Sequence, residues 1–267
     1  AAQTMDQVGM FGSNARWAID LPLPTGDDQD QLRFQTFSRR AVQASLSPLP
    51  GPVHLNVPFD EPLMALPAHH AAPARVAAGP LLSVAPAATN PELEAATAAL
   101  RGCERPLIIA GPETGGLPAD AIARLARTIG APILADGLSG LRNGNHDRSY
   151  VLDSFDAVVR DTRIATLRPD AIIHFGGPPT SKALNGLLAQ SRGLPYVLCD
   201  LPGGFRDANN AASHLVFGSN LSAAEGLADR LPGLTAQLAW LDGWLDADRW
   251  ARDSMQSGIA AFADPFE

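Results

Sequence analysis

The chain is expected to fold as an α/β protein around a doubly wound, mostly parallel sheet. Three observations predict this. Short apolar runs recur at 107–110, 133–135, 170–175, 196–199 and 215–217. Segments with helical spacing of apolar residues separate most of them, and Gly, Pro, Asn or Ser stands at most of the junctions. Strands that alternate with helices form crossover units, which pair in parallel.

Residues 1–65 make a first block. Gln3–Gly12 is expected to be a short helix ending at a glycine, and Ala15–Leu21 alternates like a strand before Pro22 and Pro24. Asp27–Leu46 carries Leu32, Phe34, Phe37, Ala41, Val42 and Leu46 near helical spacing, which predicts an amphipathic helix. After Gly51 and Pro52, the stretch Val53–Val57 is apolar at alternate positions and stops at Pro58, giving one more strand. So few strands do not close a sheet, and the chain opens without a methionine, so further polypeptide is expected before Ala1. Residues 65–90 are rich in Ala and Pro and predict a semi-extended linker. Within it His69 and His70 are adjacent, diverge on an extended backbone and have no third ligand, so no metal site is expected there.

The regular alternation starts at Asn90, the expected N-cap of a helix over Pro91–Leu100 with proline in its first turn. Leu107–Ala110 is a strand that runs into the turn Gly111–Gly116. That turn is not G-x-G-x-x-G, and no Walker lysine follows, so a tight structural turn is favoured over a dinucleotide site. Ala119–Ile129 is a helix closed by Gly130, Ile133–Ala135 a strand, and Phe155–Leu167 helical. Asp170–Phe175 is the central strand, followed by G-G-P-P and a helix through Leu188 that Thr180 or Ser181 can cap. Strands Tyr196–Cys199 and Leu215–Phe217 precede a helix over Ser222–Leu231. The last segment, Leu238–Phe262, has Leu238, Leu241, Leu245 and three tryptophans near helical spacing, and reads as a helix packed on its own domain or leading to another.

Lys182 stands in the first turn of the helix after the central strand and is the only lysine in the chain. A cation there opposes the helix dipole. In α/β sheets ligands collect at the carboxyl ends of strands, where helix amino termini favour anions, so Lys182 is a candidate ligand-holding group. A solvated surface lysine is the competing reading.

Composition narrows the partners. With 46% hydrophobic and 18% charged residues the chain is an ordinary soluble globular sequence, and its net charge of −8 disfavours nucleic acid or an anionic membrane as main partner. No 18-residue apolar span or signal peptide is present, so no membrane insertion is expected. The two cysteines, Cys103 and Cys199, lack metal-ligand spacing and are expected as buried free thiols of a reducing, cytoplasmic compartment. No G-x-S-x-G, H-E-x-x-H or acidic metal cluster appears. Asp27–Asp28, Asp246 and Asp248 look like solvated charges, and Asp136 looks like the cap of the turn Gly137–Gly140. The remaining polar candidates are Gln3 and Lys182, with no evident catalytic engine.

Four motifs carry a resemblance over nearly the whole chain: Q-T-M-D-Q-V-G-M-F-G at 3–12 with R-W-A-I-D-L-P-L-P at 16–24, G-P-V-H-L-N-V-P-F-D-E-P-L at 51–63, A-D-G-L-S-G-L-R at 135–142, and F-G-G-P-P-T-S-K at 175–182. In this order they resemble the menaquinone-pathway synthases that make 2-succinyl-5-enolpyruvyl-6-hydroxy-3-cyclohexene-1-carboxylate, a family of thiamine-diphosphate enzymes. The resemblance implies that residues 1–64 are the C-terminal part of a pyrimidine-binding domain and 65–89 a linker. It implies that 90–234 are a central Rossmann-like domain and 235–267 a helical connection toward a pyrophosphate-binding domain outside the chain. The implied reaction is decarboxylation of 2-oxoglutarate and addition of the succinyl unit to isochorismate, with release of CO2 and pyruvate. Thiamine diphosphate with magnesium or manganese is the implied cofactor, and a homodimer or dimer of dimers the implied assembly. Gln3 and Lys182 match family positions that hold isochorismate, which suits a primary amide and an ammonium group.

Two departures bear on substrate binding: Ala2 stands where members often have Asn, and Ala183 where some have Arg. The glutamate that activates the cofactor is expected before Ala1, and the G-D-G…N motif for metal and pyrophosphate beyond Glu267. The 267-residue chain alone is therefore not expected to turn over or to hold the cofactor tightly. Two other readings stay open, an acetolactate-type carboligase whose central domain binds FAD, and a non-catalytic module that senses a small anion through Lys182.

Overall fold

A computed structural model of the chain describes residues 5–25, 28–60, 86–161, 167–232, 234 and 236–262. Ala2, Gln3, Asp27 and the greater part of the expected linker, with His69 and His70, lie outside them. The chain divides into two units, residues 1–85 and 86–267.

In the first unit β1 (Trp17–Asp20) and β2 (Val53–Asn56) pair in parallel, with Trp17 opposite Val53 and Asp20 opposite Asn56. Helix α1 (Asp28–Leu46) makes the crossover. At the carboxyl ends Asn56 Nδ2 donates to Asp20 Oδ1 at 2.7 Å, and the Arg40 guanidinium lies 4.9 Å over the Trp17 ring. The helix expected over Gln3–Gly12 is not formed in its described part. Residues 8–11 turn instead, and Gly12–Asn14 make one 3-10 turn. Gly9 and Gly12 adopt φ of 70° and 50°, a left-handed conformation that interrupts a helix rather than closing one.

The second unit is one six-stranded sheet, in the order β5-β4-β3-β6-β7-β8, with every pairing parallel. Its strands are β3 (Pro106–Ala110), β4 (Ile133–Ala135), β5 (Val151–Leu152), β6 (Ala171–Phe175), β7 (Tyr196–Asp200) and β8 (His214–Phe217). Its helices are α2 (Asn90–Leu100), α3 (Ala119–Ile129), α4 (Phe155–Arg160), α5 (Lys182–Gln190), α6 (Asn220–Arg230) and α7 (Leu238–Ala260). Strands β3, β6 and β7 are buried along their whole length, as a parallel sheet covered on both faces requires. Their side chains alternate between two cores. Ile108, Ala110, Ile173, Phe175, Val197 and Cys199 meet α2, α3 and α6, whereas Leu107, Ile109, Ile172 and Tyr196 meet α4, α5 and α7. On the second face Trp240 and Trp244 of α7 are buried, and Trp240 Nε1 donates to the Pro106 carbonyl at 2.8 Å, so α7 packs on its own sheet.

Several boundaries differ from expectation. The N-cap of α2 is Thr89, not Asn90: the Glu92 carboxylate accepts from the Thr89 N–H at 3.2 Å and hydroxyl at 2.7 Å, a partnership that Asn90 is one residue too late to make. Helix α4 stops at Arg160, where Asp161 is extended (ψ 119°). Two β-branched valines, and an acidic group at the negative end of the dipole, favour that stop. Strand β5 has two residues, too short to show a period. Cys199 is buried but Cys103 only half-buried; burial raises both thiol pKa values, with Asp170 adding to the rise at Cys103.

Candidate functional site

Strand order reverses between β3 and β6, so their carboxyl ends form the switch point at which open α/β sheets place ligands. Here two turns press together. The Gly111 N–H donates to the Phe175 carbonyl and the Gly177 N–H to the Pro112 carbonyl, both at 2.8 Å. A methyl group on Gly111 would stand 1.9 Å from the Gly177 carbonyl oxygen. The Gly111 turn is thus a tight one, closed on the Gly177 turn.

Beneath this joint lies His174, buried at 3% exposure. Its Nε2 sits 3.1 Å from the Gly177 carbonyl, an acceptor only, so Nε2 carries the proton and Nδ1 accepts from the Tyr196 hydroxyl at 2.7 Å. Burial drives the His174 pKa down to about 4, against the opposing pull of the Gly177 carbonyl and of Asp207. The imidazole therefore stays neutral when folded but binds a proton when unfolded below its ordinary pKa of about 6.5. Its contribution to stability is complete above that value and is lost as pH falls toward 4. His174→Gln should flatten the pH dependence of urea-unfolding free energy between about pH 6.5 and 5, where one proton contributes at most about 1.4 kcal/mol per pH unit. An unchanged slope would show that His174 is not the group titrating.

The segment leading to Lys182 is clamped from two sides. Asp136, at the end of β4 and 2% exposed, accepts from the Thr180 N–H (2.8 Å) and hydroxyl (2.7 Å) through Oδ2, and from the Leu138 N–H (2.9 Å) through Oδ1. Burial alone would raise its pKa, but the hydrogen bonds from Leu138 and Thr180 and the charge of Arg142 outweigh it and lower the pKa. It caps its turn as expected and, beyond that, ties the turn to Thr180. Ser181 is the N-cap of α5: its Oγ accepts from the Leu184 N–H at 3.1 Å and donates to Asp156. Asn185 Nδ2 donates to the carbonyls of Pro179 and Ser181 at 2.6 and 2.9 Å. Lys182 is the first residue of α5 and is exposed, and among the described residues no carboxylate pairs with its ammonium group. Gln3 is outside the described residues.

Sequence reasoning missed a second polar group nearby. Arg206 Nη2 donates to Glu113 at 2.8 Å and to Asp200 at 2.7 Å, Nε adds a 2.9 Å bond to Asp200, and Asn220 Nδ2 reaches Glu113 at 3.2 Å. Burial would lower the Arg206 pKa, but its carboxylate partners raise it well above the ordinary range. Arg206 and Glu113 line an open cleft of about 420 Å³ with Pro112, Leu138, Gly177 and Pro178. The only signal was an acid at a strand end before a Gly-Gly turn. Asp248 is a further correction: it is not a solvated charge but 5% exposed, accepting from the Ser154 N–H and from Arg252. Among the described residues no three His, Cys, Asp or Glu side chains group to hold a metal ion, and no helix is long and apolar enough to cross a membrane.

The sheet and its flanking helices have the fold of thiamine-diphosphate enzymes. A Mycobacterium smegmatis structure assigned to the thiamin diphosphate-dependent enzymes superposes with a TM-score of 0.52, at 18% identity, over 85% of this chain and 41% of its own. Curated relatives define the family more closely. The chain is 36% identical over 262 residues to the 2-succinyl-5-enolpyruvyl-6-hydroxy-3-cyclohexene-1-carboxylate synthase of Geobacillus kaustophilus, covering 96% of this chain. It is 36% identical to that of Chloroflexus aurantiacus over 97% of its length, and 33% identical to that of Synechococcus over all of it. The chain is thus related along nearly its whole length to these synthases, and it spans 45–47% of theirs. No protein-family model matches it.

Proposed function

We propose that the chain is the middle part of a thiamine-diphosphate-dependent synthase that decarboxylates 2-oxoglutarate and adds the succinyl unit to isochorismate. The observation that carries this is the 33–37% identity to synthases of that name over at least 94% of the chain. The product named for those relatives keeps an enolpyruvyl group, so CO2 leaves and pyruvate does not, contrary to the expectation from sequence. Residues 1–64 then belong to the pyrimidine-binding domain, 90–234 to the central domain and 235–267 to the approach to the pyrophosphate-binding domain, in a cytoplasmic homodimer or dimer of dimers.

Thiamine diphosphate supplies the electron sink for decarboxylation when bound. Among the described residues no three His, Cys, Asp or Glu side chains group to hold its magnesium. What this chain contributes is substrate anchoring. Lys182 offers an ammonium group on a clamped helix start, placed to pair with an isochorismate carboxylate, and Gln3 offers an amide for a hydroxyl or carboxylate. Ala183 stands next to Lys182 in sequence, where some members of the resembled family have an arginine.

The test uses the full-length polypeptide with both substrates, thiamine diphosphate and magnesium. CO2 release that requires 2-oxoglutarate, with consumption of isochorismate, is the expected result; turnover of pyruvate instead would place the chain among acetolactate-type carboligases. Lys182→Ala should raise the isochorismate KM roughly tenfold and leave cofactor affinity unchanged. An unchanged KM would remove Lys182 from the substrate site.

A further inference from the structure

Between the β4–β5 connection and α7 lies a cavity of about 380 Å³ whose charged lining is Arg142, Arg148, Asp153, Asp248, Arg249 and Arg252. Four guanidinium groups against two carboxylates leave the lining positive, in a chain whose net charge is −8. Arg252 is held by both acids, donating to Asp153 at 2.9 Å and to Asp248 at 2.8 Å. Arg249 has one exposed pair, with Asp246 at 2.9 Å, of a kind that contributes little.

Arg142 and Arg148 differ from these. Arg142 Nε donates to the Ala135 carbonyl at 2.8 Å and Arg148 Nη1 to the Arg142 carbonyl at 2.9 Å. A carbonyl fixes a guanidinium without cancelling its charge. Neither arginine stands in an ion pair among the described residues. Asp136, Asp156 and Asp248 do feel the charge of Arg142, but Asp136 is bonded to Thr180 and Leu138, Asp156 to Arg160 and Ser181, and Asp248 to Ser154 and Arg252. A guanidinium has five donors in a planar fork that matches carboxylate and phosphate oxygens.

We propose that this cavity is a binding site for a small dianion, a dicarboxylate or a phosphoryl group, held by Arg142, Arg148 and Arg249. Its volume falls in the range of small-ligand pockets. The site is distinct from Lys182 and does not depend on the reaction proposed above.

Titration of the chain with malonate and, separately, with inorganic phosphate, followed by arginine Nε–H resonances and calorimetry, tests it against sodium chloride of equal ionic strength. At least one dianion should bind saturably at one site. Saturation by malonate alone assigns a dicarboxylate, and by phosphate alone a phosphoryl group. Arg148→Gln should weaken binding, and Arg148→Gln with Arg249→Gln should weaken it roughly tenfold or more. Arg124→Gln, which removes an exposed pair with Asp229 away from the cavity, should leave it unchanged. A response that chloride reproduces, or that survives the double substitution, overturns the proposal.

Discussion

Gly111→Ala should lower the unfolding free energy by about 4 kcal/mol, among the largest effects a single methyl group can have in this chain. The methyl would stand 1.9 Å from the Gly177 carbonyl oxygen and 3.1 Å from His174 Nε2. Neither obstacle is the far end of a flexible side chain. Relief requires parting the two turns, which breaks the Gly111–Phe175 and Gly177–Pro112 backbone bonds and lifts the Gly177 carbonyl off the buried imidazole. Those groups lie at the centre of the sheet, where unpaired polar atoms are expensive. Gly137→Ala is the control, because nothing lies within 4 Å of an added methyl there, and Gly186→Ala, in open space on α5, should be neutral or slightly stabilising. Urea unfolding of the three variants decides the matter. If Gly111→Ala lies within about 1 kcal/mol of Gly137→Ala, the contact between the turns is not as tight as described.

That joint also shows what a sequence can and cannot reveal. G-P-E-T-G-G and F-G-G-P-P-T were visible as turns after apolar runs, and their place at strand ends followed from the alternation. Nothing in either stretch says that the two pack backbone to backbone, since they are some 65 residues apart and the contact depends on β3 pairing with β6. Helix α3 was legible to the residue because its apolar stripe and Gly130 agree, with Gly130 at φ 66°. Strand β5 was not, because two residues carry no period. The short helix expected near the start failed for another reason: its glycines fit a helix end in sequence, but at Gly9 and Gly12 the backbone turns twice instead. The place of Lys182 at a helix start was legible because it is a local feature. Arg206, Asp200 and Glu113 were missed because their meeting is a property of the folded sheet. Asp248 was misjudged because its neighbours on α7 are charged; burial came from the β5–α4 junction, whose Ser154 N–H it accepts.

Asp136→Ala should destabilise the chain by about 3 kcal/mol and, in the full-length polypeptide, loosen the start of α5 that carries Lys182. The carboxylate is the shared acceptor for three donors, the N–H and hydroxyl of Thr180 and the N–H of Leu138. Its removal deletes three charge-assisted hydrogen bonds at once, and because Thr180 and Leu138 are themselves exposed, water takes over part of their bonding and keeps the loss to that figure. Asp136→Asn should be intermediate: the amide oxygen can still accept from Thr180, but its NH2 then faces the Leu138 N–H, donor against donor. A double-mutant cycle with Thr180→Val isolates the hydroxyl's share of the tie between the two segments, since the backbone N–H bond survives, and should give a coupling of about 1–2 kcal/mol. Coupling near zero would mean that the hydroxyl bond from Thr180 is incidental. The pH dependence has a definite sign. The folded-state pKa of Asp136 is lowered, so its contribution is present above the ordinary aspartate value of about 3.9 and is lost as pH falls below it. The loss expected for His174 begins about 2.6 pH units higher, so acid unfolding should show two separable contributions, and Asp136→Ala should remove only the lower one. The clamp thereby links stability to the proposed chemistry. If Lys182 anchors substrate, Thr180→Val should raise the isochorismate KM in the same direction as Lys182→Ala, by a smaller factor, because it removes one of the turn's two bonds to Asp136 but leaves the charge in place.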